Sequence, residues 1–505
     1  APDHPHLQVV RRWGDVRNRR MLRVGGISPP VLLYGYRNDL DTLERAVKER
    51  VFYVRHNGQF RAPPRPRRGH FQAALSAALD ALAPHLPLAA PLSYAEFVST
   101  FRGPKRKVYQ RAFESLLRVS LQPKDSHVKV FVKYEKTDFT RKADPVPRVI
   151  SPRDPRYNIE LGRFLRPIEE RLYLAIGRMF GQPTVMKGMN AARVGECMFA
   201  KWADFSDPVA VGLDASRFDQ HVSRDALATE HRIYLQCFRN HGHRRKLGAL
   251  LRQQLRNVCT GYTADGRLKY RTDGGRMSGD MNTGLGNCLL MCLMVFAYAL
   301  FCGVRVHLAN NGDDCVVFME RRDLPRFSAG LDAWFFGMGF SMEVEPPAFD
   351  LEALEFCQSH PVWVGPEAHH YVMVRHPHYA IAKDSMCLQP YGTTSLFRGW
   401  LHAVGTGGMA ATGGIPVFQD FYAAYLRAGE FHASVVDGQS WGVRTMSRDM
   451  KRVYSDVHPR TRYSFWLAYG YTPPEQLAIE DFYRRSKVTL NPAQWHPRRR
   501  MPRDA

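Results

Sequence analysis

The hydrophobic period changes several times along the chain, and each change predicts a change of element. Over 40–52, "LDTLERAVKERVF" repeats apolar residues at helical spacing, and "RAPPRPRR" at 61–68 ends that pattern with a proline-rich basic connector. Residues 70–120 read as helices, with "GPKRK" at 103–107 expected as a basic turn between two of them. Over 128–134, "VKVFVKY" alternates instead. Val128, Val130, Val132 and Tyr134 take one face of a predicted strand, Lys129 and Lys133 the other. A short β-like run, "VAVGLDASRFDQHV" at 209–222, reaches Asp214 at its end, and a helical pattern follows to residue 257.

A Gly-rich polar loop then feeds the most apolar part of the chain, "RMSGDMNTGLGNCLLMCLMVFAYAL" at 276–300. Its segment 288–302 imitates a membrane span but falls short of the roughly 20 residues a span needs. A buried helix is predicted there, and no transmembrane segment. "VRVHLA" and "NNGDDCVVF" (304–318) are strand-like runs joined at Asn311-Gly312, a strong hairpin signal. A helix over 325–338, a strand in "FSMEVEP" and mainly helical text beyond 375 follow, with Gly-rich breaks at 405–414.

Charge narrows the class. The 505 residues carry 71 basic against 48 acidic side chains, a net charge of +23. Together with 45% hydrophobic content this describes a folded protein with a polyanionic partner, either nucleic acid or an anionic membrane surface. The nine cysteines are scattered and odd in number, with no CxxC pair, so neither a disulfide frame nor a zinc site is indicated. A reducing compartment is the natural fit. Without an initiator Met or a leader pattern, the chain reads as the distal part of a longer product.

Candidate chemistry rests on carboxylates. Asp214 at a strand end and Asp313 on a hairpin turn can meet if their strands share a sheet. Hard oxygen ligands on rigid backbone suit Mg²⁺, and two such ions serve nucleotidyl transfer. Lys133, Lys136, Arg141, Lys142, Arg148, Arg153 and Arg156 crowd one segment and suggest an anion-binding arch.

At these residues the chain resembles the RNA-dependent RNA polymerases of positive-strand RNA viruses, particularly tombusvirus-like and umbravirus-like plant viruses. "GLDASRFDQHV" is similar to motif A, "SGDMNTGLGNC" to motif B, "NNGDDCVVF" to motif C, "VFVKYEKTDFTRKADPVPRVISPR" to motif F and "LEFCQSHPVW" to motif E. "NDLDTLERAVKERVFYV", "FRGPKRKVYQRA" and "GGIPVFQDFY" extend the likeness over most of the chain.

The resemblance implies an α/β fold, with an α+β palm built on an antiparallel sheet and a right-hand arrangement with a largely helical thumb. It implies an N-terminal extension and fingertips over 1–90, fingers over 91–208 (motif F at 128–156) and motif A of the palm at 209–225. A fingers insertion at 226–270, palm motifs B to E at 271–375, and a thumb with basic tail at 376–505 complete it. Asp214, Asp313 and, secondarily, Asp314 would be catalytic and hold two Mg²⁺ ions, with Mn²⁺ as a substitute. Asp219, Ser278, Thr283 and Asn287 would sense the ribose 2′-OH. Lys133, Lys136 and Arg148, with Arg141 and Lys142 less securely placed, would bind triphosphate and RNA. Gly279 and Gly312 would shape the backbone loops.

One departure stands out: no lysine lies between 319 and 350, where the family often keeps the acid that protonates pyrophosphate. The general acid is unassigned, since arginine is a poor proton donor. His369-His370 and His376/His378 lack partner acids at ligand spacing and read as surface or core residues. Cys315 reads as a small hydrophobe, and the tail "HPRRRMPRD" as solvated or RNA-touching. Expected partners are single-stranded RNA template, nascent RNA, NTPs and viral or host replication proteins. The expected place is the host cytoplasm at membrane-associated replication sites, reached indirectly. Two alternatives stay open: another palm polymerase such as a reverse transcriptase, which Asp219 with Asn287 opposes, and a non-catalytic RNA-binding scaffold, which the three aspartates oppose.

Overall fold

In the computed structural model, which describes residues 1–19, 21–388, 393–435 and 447–491, the run at 209–215 becomes a strand with both faces covered. Pro208–Ala215 lies second from one edge of a four-stranded antiparallel sheet, in the order His307–Asn311, Asp314–Glu320, Pro208–Ala215, Met342–Val344. Val209, Val211 and Leu213 face one hydrophobic core together with Cys315, Val317 and Met319. Ala210, Val316 and Phe318 face a second core. Successive side chains point to opposite faces, so a strand covered on both sides needs apolar residues at every position. The unbroken apolar text is explained by that.

The first core is built on two long helices. Pro155–Phe180 begins where the Asp154 carboxylate accepts from the Arg156 backbone N–H at 2.8 Å, with Pro155 in the first turn, and ends at Gly181 in a left-handed conformation. Thr283–Cys302 is long and apolar enough to cross a membrane, yet most of it is buried among the helices and the sheet. It is the buried helix the sequence predicts. The second core takes Trp400, Leu401, Phe418, Phe421 and Tyr425 from the helices Thr394–Thr412 and Phe418–Ala428.

A second sheet, in the order Leu7–Arg11, Gly266–Asp273, Arg256–Thr263, Val128–Lys129, is antiparallel except for its last pair. Its hairpin 256–273 falls outside the sequence expectation of helix to 257, although Asp265-Gly266 carried a turn signal. A third sheet sets Leu22–Gly25 between Met386–Cys387 and Thr489–Asn491. The first 25 residues therefore fasten to three distant parts of the chain.

Three further expectations change. The strand over 128–134 is two short strands, because Val128–Lys129 pairs with Arg256–Thr263 and Phe131–Val132 pairs with Val149–Ile150. The buried side of the alternation survives, with Val128, Val130 and Val132 all in the core. "GPKRK" is the first turn of the helix Gly103–Arg118, where proline at the start is tolerated. Gly330 divides 325–338 into two helices, Leu324–Ala329 and Leu331–Gly337. The tail "HPRRRMPRD" lies outside the described residues. All nine cysteines are free thiols, and Cys315 is a buried core residue as expected.

Arg153, expected in the anion-binding arch, is instead 4% exposed. Its guanidinium donates to Asp280 Oδ1 at 2.6 Å and Oδ2 at 3.1 Å, to Asn257 Oδ1 at 2.6 Å and to the Ser126 carbonyl at 2.7 Å. Arg156 is likewise committed, to Asp125, Ser115 and the carbonyls of Val119 and Ser120. Removing one partner of a buried pair strands the other, at a cost of about 3–5 kcal/mol. Arg153→Ala is expected to lower the denaturant midpoint accordingly, whereas Arg141→Ala on the exposed surface leaves it unchanged. Equal midpoints for the two variants would refute the structural role of Arg153.

Candidate active site

The turn at 310–314 is where the two cores and the acids meet. Asn311 pairs with Asp314, so the two central turn residues are Gly312 and Asp313, one step beyond the expected Asn311-Gly312. Gly312 sits at φ +73°, the left-handed conformation that a tight hairpin needs at its first central position. Asn310 holds the turn from inside: its amide donates to the Gly312 carbonyl at 2.7 Å while its side-chain oxygen accepts from the Gly312 N–H at 3.2 Å.

Register then brings the acids together. Asp214 lies directly opposite Asp314, so their side chains share one face with Cβ atoms about 4.5–5.5 Å apart. Asp313 is on the adjoining turn, and both Asp214 and Asp313 are exposed. Asp314 is more enclosed, and its Oδ2 accepts from the Cys357 backbone N–H at 2.9 Å. Burial pushes the Asp314 carboxyl above its ordinary range, and Asp313 and Glu355 push the same way against that hydrogen bond. Glu345 is raised by burial and then by Asp214, Glu355 and Asp314. Glu345 and Glu355 thus belong to the cluster, although the sequence pattern did not single them out. Asp314 and Glu345 between them lie within electrostatic reach of Asp214, Asp313 and Glu355, and these last three are exposed. Hard carboxylate oxygens of this kind suit divalent cations such as Mg²⁺.

Asp219 and Asn287 meet as the sequence suggests, with Asn287 Nδ2 donating to Asp219 Oδ1 at 2.8 Å. Ser278 and Thr283 are engaged elsewhere. The Ser278 hydroxyl donates to the Val149 carbonyl and accepts from the Ser151 N–H, both at 3.2 Å, which ties the Gly-rich loop to the basic segment. The Thr283 hydroxyl donates to the Met277 carbonyl at 2.7 Å and closes the loop onto the helix start. At Gly279 an added Cβ would come within 2.6 Å of Pro152 Cα, so glycine there permits close packing of the two segments.

Among the basic residues, Lys133 Nζ and Arg148 flank one carboxylate oxygen of Glu135 at 3.3 and 3.5 Å. Arg148 also lies within electrostatic reach of Asp219. Lys136 donates to the Lys383 carbonyl at 2.5 Å, which commits its ammonium to the chain's own backbone. Arg141 is exposed over the Tyr379 ring, and Lys142 is exposed. Two arginines missed by sequence reasoning join this wall. Arg50 is pushed down to about 10 by burial and then by Arg217 and Arg148. Arg217, two residues before Asp219, donates to the Glu49 carbonyl. Arg50 thus has Arg148 and Arg217 within electrostatic reach, and donates to the Val146 carbonyl at 2.7 Å.

The model of the viral RNA-dependent RNA polymerases matches residues 7–491. The chain belongs to that family. Among curated relatives named RNA-directed RNA polymerase, that of Oat chlorotic stunt virus is 49% identical over 520 residues, covering 99% of this chain and 69% of the relative. That of Tobacco necrosis virus (strain A) is 42% identical, covering 97% of this chain and 67% of the relative. That of Tomato bushy stunt virus is 41% identical, covering 96% of this chain and 58% of the relative. These relatives are plant virus enzymes that extend well beyond the matched region.

Away from the acid cluster of this viral polymerase, His369 does have an acidic neighbour. Its Nε2 is 3.1 Å from Glu367 Oε2, and Glu367, His369 and His370 bring ligand atoms within 4.8 Å of one another. The acid lies two positions upstream on the same hairpin turn, which corrects the expectation that these histidines lack one. His376 instead caps the helix Pro377–Asp384, its Nδ1 accepting from the His378 N–H at 3.2 Å.

Burial, the largest influence on Asp219, holds its carboxyl above the ordinary range, against the Asn287 donor and Arg276. A folded-state pKa raised over the unfolded value means that ionisation costs folding free energy, a cost that is absent at low pH and grows as pH rises through the folded pKa. Asp219→Asn is expected to unfold at a higher temperature than the parent at neutral pH. The difference should shrink as pH falls towards 3.8. A difference that does not change with pH would show that Asp219 is not held against its charge.

Proposed function

We propose that this chain carries out template-directed RNA synthesis from NTPs, with Asp214 and Asp313 as principal ligands of two Mg²⁺ ions and Asp314 as a secondary acid. The observation that carries this reading is the register that sets Asp214 opposite Asp314 with Asp313 on the exposed adjoining turn. When bound, the ions activate the attacking hydroxyl and neutralise the leaving pyrophosphate. The protein's own part is positioning. Asp219 accepts the ribose 2′-OH with the oxygen that Asn287 leaves free, and Lys133, Arg148, Arg50 and Arg217 hold the triphosphate. Ser278 and Thr283 act on the sugar indirectly, by fixing the Gly-rich loop against the basic segment.

In this reading the four-stranded sheet is the palm (209–225 and 271–375), the segments 91–208 and 226–270 are fingers with the extension 1–90, and the helices from 376 onward are the thumb. Template, nascent strand and NTPs are the partners, with replication proteins of virus or host beside them at membrane-associated sites in the host cytoplasm. The strong positive charge supports RNA as the polyanion, and binding that neutralises several phosphates is steeply salt-dependent.

Primed extension on single-stranded RNA with Mg²⁺ and labelled NTPs tests the assignment. Asp313→Ala is expected to lose about a thousandfold in extension rate while binding RNA as the parent does. Extension at the parental rate would remove Asp313 from the chemistry.

A further inference from the structure

Behind Asp219 and Asn287 lies a buried polar assembly that the proposed chemistry does not yet use. Glu230, wholly buried on the helix Arg224–Gln236, receives Arg276 on both carboxylate oxygens, Asn282 Nδ2 at 2.8 Å and the Tyr234 hydroxyl at 2.9 Å. Arg276 is also buried, and its Nε donates to Asn287 Oδ1 at 2.9 Å. The chain of contacts thus runs Glu230, Arg276, Asn287, Asp219, and its last link is the 2.8 Å bond from Asn287 Nδ2. The Arg276 backbone N–H adds a second tie, donating to the Asp219 carbonyl at 2.9 Å.

Each link constrains the next. A buried arginine without a counter-charge is strongly unfavourable, and Glu230 supplies that charge from the side away from the site. With both outer nitrogens taken by Glu230, Arg276 has its Nε left for Asn287. That fixes which end of the amide faces which neighbour, since a carbonyl must meet the guanidinium. The amide NH₂ is therefore turned to Asp219, occupies Oδ1 and leaves Oδ2 for another donor. Gly286 is part of the same construction, because an added Cβ there would collide with both Arg276 and Glu230.

We infer that Glu230 and Arg276 are positioning residues for sugar selection: they set the Asn287 amide so that Asp219 keeps one oxygen free for the ribose 2′-OH. This rests on the polymerase reading above. Neither residue touches substrate; both act through Asn287.

Single-nucleotide incorporation by the full chain on primed RNA, with Mg²⁺ and either an NTP or its 2′-deoxy counterpart, tests it through the ratio of the two kcat/KM values. Arg276→Lys keeps a positive charge for Glu230 but lacks the fork that reaches both Glu230 and Asn287. It is expected to lower the NTP-to-dNTP ratio about tenfold, with the loss confined to the NTP constant, because only the NTP has a hydroxyl to lose. Glu230→Gln, which keeps the shape and removes the counter-charge, is expected to lower the ratio in the same direction. Gly286→Ala, which displaces both partners, is expected to do so too. A parental ratio in these variants overturns the inference. So does an equal fall of both constants, which marks a purely structural role, and so does loss of all incorporation. If the parent itself neither extends RNA nor discriminates between the sugars, the polymerase reading fails instead.

Discussion

The antiparallel pairing of Pro208–Ala215 with Asp314–Glu320 is the constraint on which the rest of the molecule depends, because its register decides which acids face each other. Carboxylates repel, so the acids cannot hold that register themselves. The apolar residues between them do. Val209, Val211, Leu213, Cys315, Val317 and Met319 are committed to one core, and Ala210, Val316 and Phe318 to the other. A one-residue slip would turn every one of these to the wrong face, and each large side chain contributes about 1.5–3 kcal/mol by its burial. The energy that keeps five like-charged groups together is therefore hydrophobic, and it is spent where no ligand reaches.

Around that sheet, polar ties are used where apolar packing cannot set an orientation. Arg153 joins the basic segment to Asp280 in the Gly-rich loop, and Ser278 repeats the connection through backbone groups of Val149 and Ser151. Glu230 and Arg276 do the same from behind for Asn287. The basic segment, the loop and Asp219 are thereby one rigid unit, and the glycines at 279 and 286 are the positions where that unit allows no side chain. By contrast, Arg141, Lys142 and Arg148 are exposed and Lys133 partly so, and Lys133 and Arg148 meet the carboxylate of Glu135.

Much of this was legible in the chain. The apolar run ending at Asp214, the hairpin at 310–314, the Gly-rich loop and the buried helix after it all followed from period and turn chemistry, and the motif resemblance supplied their order. The errors share a cause. "VKVFVKY" alternates as one strand does, yet it bends between two sheets because its partners, Arg256–Thr263 and Val149–Ile150, lie in different places. Arg153 and Arg156 look like their exposed neighbours in sequence, and only their distant acids, Asp280 and Asp125, make them structural. The turn centred on Gly312 and Asp313 differs by one residue from the dipeptide signal, because pairing of Asn311 with Asp314 takes Asn311 into the strand.

What the sequence by itself determined is the local vocabulary: which segments are strands, turns or buried helices, which residues carry chemistry, and the family to which their order belongs. Those properties depend on neighbours a few positions away, so they can be read along the chain. The tertiary structure alone decided which charges are spent and which are free. Glu345 and Glu355 enter the acid cluster, Arg50 and Arg217 join the basic wall, and Arg276 is buried against Glu230 only because elements far apart in sequence converge there. A charged side chain carries no local mark of its partner, since an ion pair is formed by whatever the fold brings within a few ångströms.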